Sequence, residues 1–196
     1  INSITFHPTD TATYYICVAQ GGLWKTTNSG ASWTNISGDL PILRTSSVAI
    51  DPSDDDIIYL ATGDMAYIGH NLYANENKRN THYGLGIYKT TDGGETWEPT
   101  GLSFEQTDFE ETLICDVVLH PDNSDIVVAA TTTGFYYSSD AAKTFMKTEN
   151  GLFWDLKTSH NNSDELFAST GWVNQYNWGE AAIVRSTDFG KTWVKA

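Results

Sequence analysis

The sequence predicts an all-β fold assembled from repeated four-stranded antiparallel units, on three observations. One octapeptide pattern recurs four times, as TTNSGASW, TTDGGETW, SSDAAKTF and STDFGKTW, with its third residue at Asn28, Asp92, Asp140 and Asp188. Each copy follows the same series: an alternating strand, a turn rich in Pro, Asp and Asn, a β-branched or aromatic second strand, and a short third strand. Seven tryptophans, ten tyrosines and 16 glycines are spread among short apolar runs rather than helical stripes. Four short strands per repeat of about 45–50 residues are the signature of β-propeller blades.

The elements follow in chain order. ITFHPTDTATYYICVA supplies the first two strands of blade one, VAIDPSDDDIIYLATG those of blade two, VVLHPDNSDIVVAATT those of blade three and, more loosely, LKTSHNNSDELFASTG those of blade four. GLWKT, GIYKT, GFYYS and AIVRS are the third strands, and a fourth strand opens on the aromatic that closes each octapeptide. Residues 1–196 thus read as one propeller segment with blades near 4–36, 48–100, 115–148 and 155–196.

The octapeptide has a mechanical rationale. A hydroxyl followed two residues later by aspartate or asparagine can bond the amides of a tight turn. Glycine at the fifth position (Gly30, Gly94, Gly190) tolerates a positive φ, and Ala142 in the third copy predicts a different or strained turn. The second hydroxyl (Ser32, Thr96, Thr144, Thr192) can close the loop, and the final aromatic (Trp33, Trp97, Phe145, Trp193) is expected to pack between blades.

This pattern resembles the Asp-box, or BNR repeat, found in sialidases, xyloglucanase-type glycoside hydrolases, sortilin-type receptors and a photosystem II assembly factor. The run GIYKTTDGGETW, preceded by IDPSDDDIIYLATGD, is most similar to sortilin-like and xyloglucanase-like propellers of secreted bacterial proteins. The resemblance covers nearly the whole chain and implies a secreted or cell-surface protein. It says little about activity, because one staple serves enzymes and receptors alike. It also implies that the octapeptides and the turns between first and second strands share one face, whereas ligands bind the other.

Two loops on that other face are enlarged, 64–83 and 172–180. They carry Tyr67, His70, Tyr73, His82, Tyr83, Trp172, Tyr176 and Trp178, interleaved with asparagines and a glutamine. Flat aromatics beside amides suit sugar rings, a protein partner, or packing within the loops themselves. A glycoside hydrolase would need paired carboxyl groups across a cleft, and the candidates are Asp39, Asp64, Glu76, Asp108, Glu110, Glu111, Asp155 and Glu180. Asp64 is the best single catalytic candidate, since it ends a strand at the loop mouth. A capping role there is the alternative. The xyloglucanase-like resemblance implies an aspartate after the second strand of an early blade, where this chain has Gln20. A sialidase would need three convergent arginines and an Arg-Ile-Pro element, which is absent from the sequence.

Composition excludes other classes. Eleven lysines and arginines against 25 aspartates and glutamates give a net charge of −14, which repels phosphate backbones and anionic lipid. No apolar run is long enough to span a bilayer, so neither nucleic-acid binding nor membrane insertion is expected. No cofactor motif is found and no metal is expected: His7, His120 and Asp51 occupy one repeat position, as turn residues, and the Asp54–Asp56 run reads as a solvated turn. Cys17 and Cys115, two blades apart, are expected to be buried free thiols. The expected function is non-catalytic recognition of a protein or glycan through the long-loop face. A polysaccharide-cleaving hydrolase and a structural or assembly propeller are the alternatives. Four blades fill the chain, so an open arc of a larger ring is expected, its end blades covered by remaining blades.

Overall fold

The computed structural model describes residues 1–64, 84–104, 112–171 and 181–196. Their strands form four separate four-stranded antiparallel sheets, each in simple sequence order. The first blade comprises β1 (Ser3–Phe6), β2 (Tyr14–Val18), β3 (Gly22–Thr26) and β4 (Thr34–Asn35). The second comprises β5 (Thr45–Ile50), β6 (Ile58–Thr62), β7 (Gly86–Thr90) and β8 (Glu98–Ser103). In the third are β9 (Ile114–His120), β10 (Asn123–Thr131), β11 (Gly134–Ser138) and β12 (Met146–Asn150). The fourth holds β13 (Phe153–Thr158), β14 (Leu166–Thr170), β15 (Ala182–Ser186) and β16 (Val194–Lys195). The first strands form the inner edge, with β1 packed on β5, β5 on β9 and β9 on β13.

Strand alternation sends one set of side chains to each neighbouring blade, which is why the middle strands are apolar on both faces. Ile58 and Leu60 of β6 join the core against the first blade, and Tyr59 and Ala61 join the core against the third. Val128 and Ala130 pack against the fourth blade, where Phe135 stacks between Phe153 and Trp193 with ring centroids 3.8 Å apart on both sides. Three such cores hold four blades together. Trp97, Phe145 and Trp193 each border one of them, between blades as expected. Trp33 differs: it meets Tyr14 of its own blade edge-on at 5.4 Å.

The octapeptide turns share one hydrogen-bond scheme. The first hydroxyl bonds the third side chain (Thr90 Oγ1 to Asp92 Oδ1, 2.6 Å) and accepts the fifth amide (Gly94 N, 3.1 Å). The same carboxylate accepts the seventh amide and hydroxyl (Thr96 N 2.9 Å, Thr96 Oγ1 2.6 Å). Asp140 and Asp188 repeat this set. Asn28 reproduces it with an amide, donating from Nδ2 to Ser32 Oγ at 2.8 Å. The scheme requires two successive left-handed residues, at the fourth and fifth positions. Ala141 and Ala142 adopt φ of 58° and 67°, so the third turn keeps the common geometry at the expense of strain. The neighbouring blade fits closely against this turn. Gly101 of β8 donates its N–H to the Ala142 carbonyl at 2.9 Å, and a Cβ on Gly101 would lie 2.2 Å from Lys143 O.

On the same rim, the residue ending each first strand reaches the next blade's turn. His7 Nε2 meets Asp55 at 2.7 Å, Asp51 accepts Ser124 Oγ at 2.7 Å, and His120 Nε2 meets Asp164 at 3.1 Å. Both histidines accept turn amides on Nδ1 (Asp10 N 3.0 Å, Asp122 N 3.1 Å), which leaves Nε2 as the donor to the neighbouring blade. The shared repeat position is therefore a clasp between blades. Both cysteines are free. Cys17 is buried and burial pushes its thiol up to about 11, but Cys115 is half-buried rather than buried, because its strand bulges there.

Two predictions follow from these turns. Hydrogen bonds from Thr90 and Thr96 hold the Asp92 carboxyl down at about 2, and those from Thr144 and Ser138 do the same for Asp140. A lowered folded pKa gives stability that is present above the unfolded value and lost as pH falls through the folded one. Asp92→Asn with Asp140→Asn, imitating Asn28, should therefore flatten the stability loss between about pH 4 and pH 2 in denaturant titrations. Gly101→Ala should cost about 2 kcal/mol in urea unfolding at pH 7, because backbone rather than a side-chain tip blocks the methyl.

Candidate functional site

The antiparallel register places the strand ends that flank 65–83 and 172–180 at one mouth of the inner channel. Thr45 of β5 pairs with Thr62 of β6, and Phe153 of β13 pairs with Thr170 of β14. The four first strands line a cavity of about 610 Å³. β5, β9 and β13 each carry a register shift near this mouth, leaving Ser46, Cys115 and Trp154 as bulge residues. A bulge re-aims neighbouring side chains, and here it sets a polar row one residue further on.

That row is Ser47, Asp116 and Asp155, opposite Ala61, Ala130 and Ser169 of the second strands. Asp116 binds blades on both sides. Its Oδ1 accepts Ser47 Oγ of the second blade at 2.5 Å, together with Val117 N at 2.9 Å. Its Oδ2 accepts Leu156 N and Lys157 Nζ of the fourth blade, each at 3.1 Å. Lys157 Nζ also meets Asp155 Oδ1 at 2.6 Å, so one ammonium bridges two carboxylates. Burial pushes the Asp116 carboxyl above the usual range despite these donors. Burial also acts upward on Asp155, but the bond and charge of Lys157, with hydrogen bonds from Asp116 and the Leu156 backbone, together outweigh it and hold the carboxyl below its usual value. Burial acts downward on Lys157, and Asp116 and Asp155 together raise it.

The sequence candidates divide three ways. Asp64 is fully buried, with Asn2 Nδ2 3.5 Å from its Oδ1, and Asn2 also donates to Thr45 O at 2.9 Å. Its carboxyl thus ties β1 to the end of β6 instead of opening onto the channel. Asp39 and Gln20 are exposed, and Asp155 lies on the rim. Tyr67, His70, Tyr73, His82, Tyr83, Trp172, Tyr176 and Trp178 lie outside the described residues, as do Glu76, Asp108, Glu110, Glu111 and Glu180. Asp116 was missed by sequence reasoning. Aligning SVAID of β5 with DVVLH of β9 puts it at the place of Ser47, and that polar-for-polar match in an apolar strand is the available signal. Among the described residues the one group with metal-ligand proximity is Asp54, Asp55 and Asp56, all exposed, on the opposite rim. No described helix is long and apolar enough to cross a membrane.

Comparison with known proteins places this architecture. No family model matches the chain. It is 25% identical over 229 residues to a xyloglucanase of Hypocrea jecorina (98% of this chain, 25% of the relative) and 25% identical over 223 residues to xyloglucanase Xgh74A of Acetivibrio thermocellus (97% and 25%). The chain thus spans about a quarter of the length of the curated relatives it matches. Among solved structures it is similar to an ancestral GH74 enzyme, with TM-score 0.69, 15% identity, and coverage of 100% of this chain and 25% of that one. It is also similar to YCF48 bound to D1 peptide, with TM-score 0.54, 14% identity, and coverage of 98% and 80%. The fold is that of β-propeller blades.

The rim makes one prediction of its own. A raised carboxyl pKa in the folded state means that charging Asp116 works against folding as pH rises past the unfolded value of about 4. Lys157 offsets that cost. Relative to the wild type, Lys157→Met should lose stability progressively from about pH 4 to pH 7, as read by urea midpoints across that range.

Proposed function

We propose that this chain is the recognition portion of a secreted or cell-surface propeller of the Asp-box, sortilin-like type. It binds a protein or glycan partner on the face carrying 64–83 and 172–180, without catalysis. The observation that carries this reading is the state of the rim carboxylates. Asp116 and Asp155 share one ammonium instead of facing each other across an open gap, and Asp64 is withdrawn into the core. Acid–base cleavage of a glycoside needs two carboxyl groups free to reach the bond. A row of blades joined by short-range clasps, with polar groups and long loops at one rim, suits recognition. YCF48, a propeller with a similar fold, has been solved with a bound peptide, which supports the protein arm.

The second reading, part of a xyloglucanase-like hydrolase, is favoured by whole-chain similarity to two xyloglucanases. The two are separated by incubating the protein with xyloglucan and a β-glucan panel. The expected outcome is no released sugar. Release that disappears in Asp64→Asn would overturn the recognition reading. Shortening 65–83 to a brief glycine link should abolish partner binding while leaving the melting temperature within a few degrees. Glycan-array binding lost in Trp172→Ala or Trp178→Ala but retained after that shortening would assign the sugar arm instead.

A further inference from the structure

Two triplets in the chain fit the Asn-x-Ser acceptor pattern for N-linked glycans, Asn35-Ile36-Ser37 and Asn161-Asn162-Ser163. The fold treats them in opposite ways. In the first blade Asn35 Nδ2 donates to Gly21 O at 2.8 Å, and Asn35 Oδ1 accepts Ser37 N at 2.9 Å. The Ser37 hydroxyl is buried and accepts Leu23 N at 2.7 Å. A Cβ on Gly22 would lie 3.2 Å from Asn35 Nδ2, so that amide packs against backbone and leaves no room for a sugar. The second triplet forms the turn between β13 and β14, on the octapeptide rim. Asn161 is exposed, and neither its side-chain amide nor the Ser163 hydroxyl has a hydrogen-bond partner among the described residues. That exposure does not come from lying in the fourth blade. Thr9, Ser53 and Asp122 hold the same turn position and are exposed too, although the second and third blades have neighbours on both sides.

We propose that Asn161 is an N-glycosylation site and that Asn35 is not, in a secretory compartment that holds a polyprenyl-diphosphate-linked oligosaccharide and its transferase. In the transfer, Asn161 Nδ2 bonds to the anomeric carbon of the oligosaccharide. The bond from that carbon to the diphosphate oxygen breaks, the lipid diphosphate leaves, and the amide gives one proton to the transferase. Ser163 supplies the hydroxyl of the acceptor triplet. This rests on the reading of a secreted or cell-surface protein. A glycan is bulky, solubilising and confined to surfaces. At Asn161 it stands on the octapeptide rim, opposite the face that carries 64–83 and 172–180, and leaves that face free for a partner.

The test secretes the 196-residue chain from a yeast behind a cleavable leader and compares it before and after peptide-N-glycosidase F, by intact mass and by tryptic peptide. The wild type should lose the mass of one N-glycan, with Asn161 converted to aspartate and Asn35 unchanged. Asn161→Gln and Ser163→Ala should each abolish the glycan while melting like the wild type, and Ser163→Thr should retain it. An unmodified Asn161 in the secreted, folded protein overturns the proposal, and so does a glycan on Asn35. The leader supplies entry to the compartment, so these outcomes report on Asn161 alone. Partner binding that depends on 64–83 and persists without a glycan leaves the recognition reading standing whatever happens at Asn161. Loss of that binding removes the recognition reading and leaves this inference.

Discussion

The structure depends on one local constraint, the capture of a turn's own hydroxyl and amide groups by the third side chain of each octapeptide. That capture forces two successive residues into the left-handed region, which turns the fifth residue toward the preceding blade. Gly94 then lies against Ile36, Ala142 against Gly101, and Gly190 against Val128. A blade edge that would otherwise be a free hairpin becomes a fixed surface against its neighbour. Without that surface the aromatics that follow could not enter the cores between blades, and four thin sheets would have little to bury.

Around this staple the two rims differ in chemistry. The octapeptide rim is closed by short, repeated clasps: His7 to Asp55, Asp51 to Ser124 and His120 to Asp164. Their chemistry varies between imidazole and carboxylate, but the connection does not. The loop rim is held by Asp116, which binds the second and fourth blades from the third. A half-buried carboxylate is an expensive way to join blades when hydroxyls and apolar contacts do so elsewhere. Its cost is met by Lys157, a residue that also faces the cavity. The loop rim therefore rests on one charged cluster, whereas the opposite rim repeats its clasp three times.

Much of the architecture was legible in the sequence because the repeat is local. Thr90, Asp92, Gly94 and Thr96 lie within seven residues, so their spacing alone implied the turn they form. The β-branched and aromatic runs IIYLAT and VVAATT implied second strands, and their burial on both faces came from packing against two neighbouring blades. The substitution of Ala142 was readable as an anomaly, but the contact of its turn with Gly101 was not, since Gly101 belongs to another blade. The candidate site was less legible. Ser47 and Asp116 are 69 residues apart, and Leu156 is a further 40 beyond Asp116, so no window of sequence contains the cluster. Asp64 looked open at the end of a strand and is buried, because Asn2 of a different blade folds over it.

The sequence by itself determined the all-β class, the blade repeat, the turn chemistry and the acidic surface, since each arises from residues adjacent in the chain or from composition. Only the tertiary structure decided which carboxylates meet, which are withdrawn, and that one lysine bridges Asp116 and Asp155. Those outcomes depend on bulges in three first strands and on the register between blades. Both are set by packing over dozens of residues rather than by any local pattern.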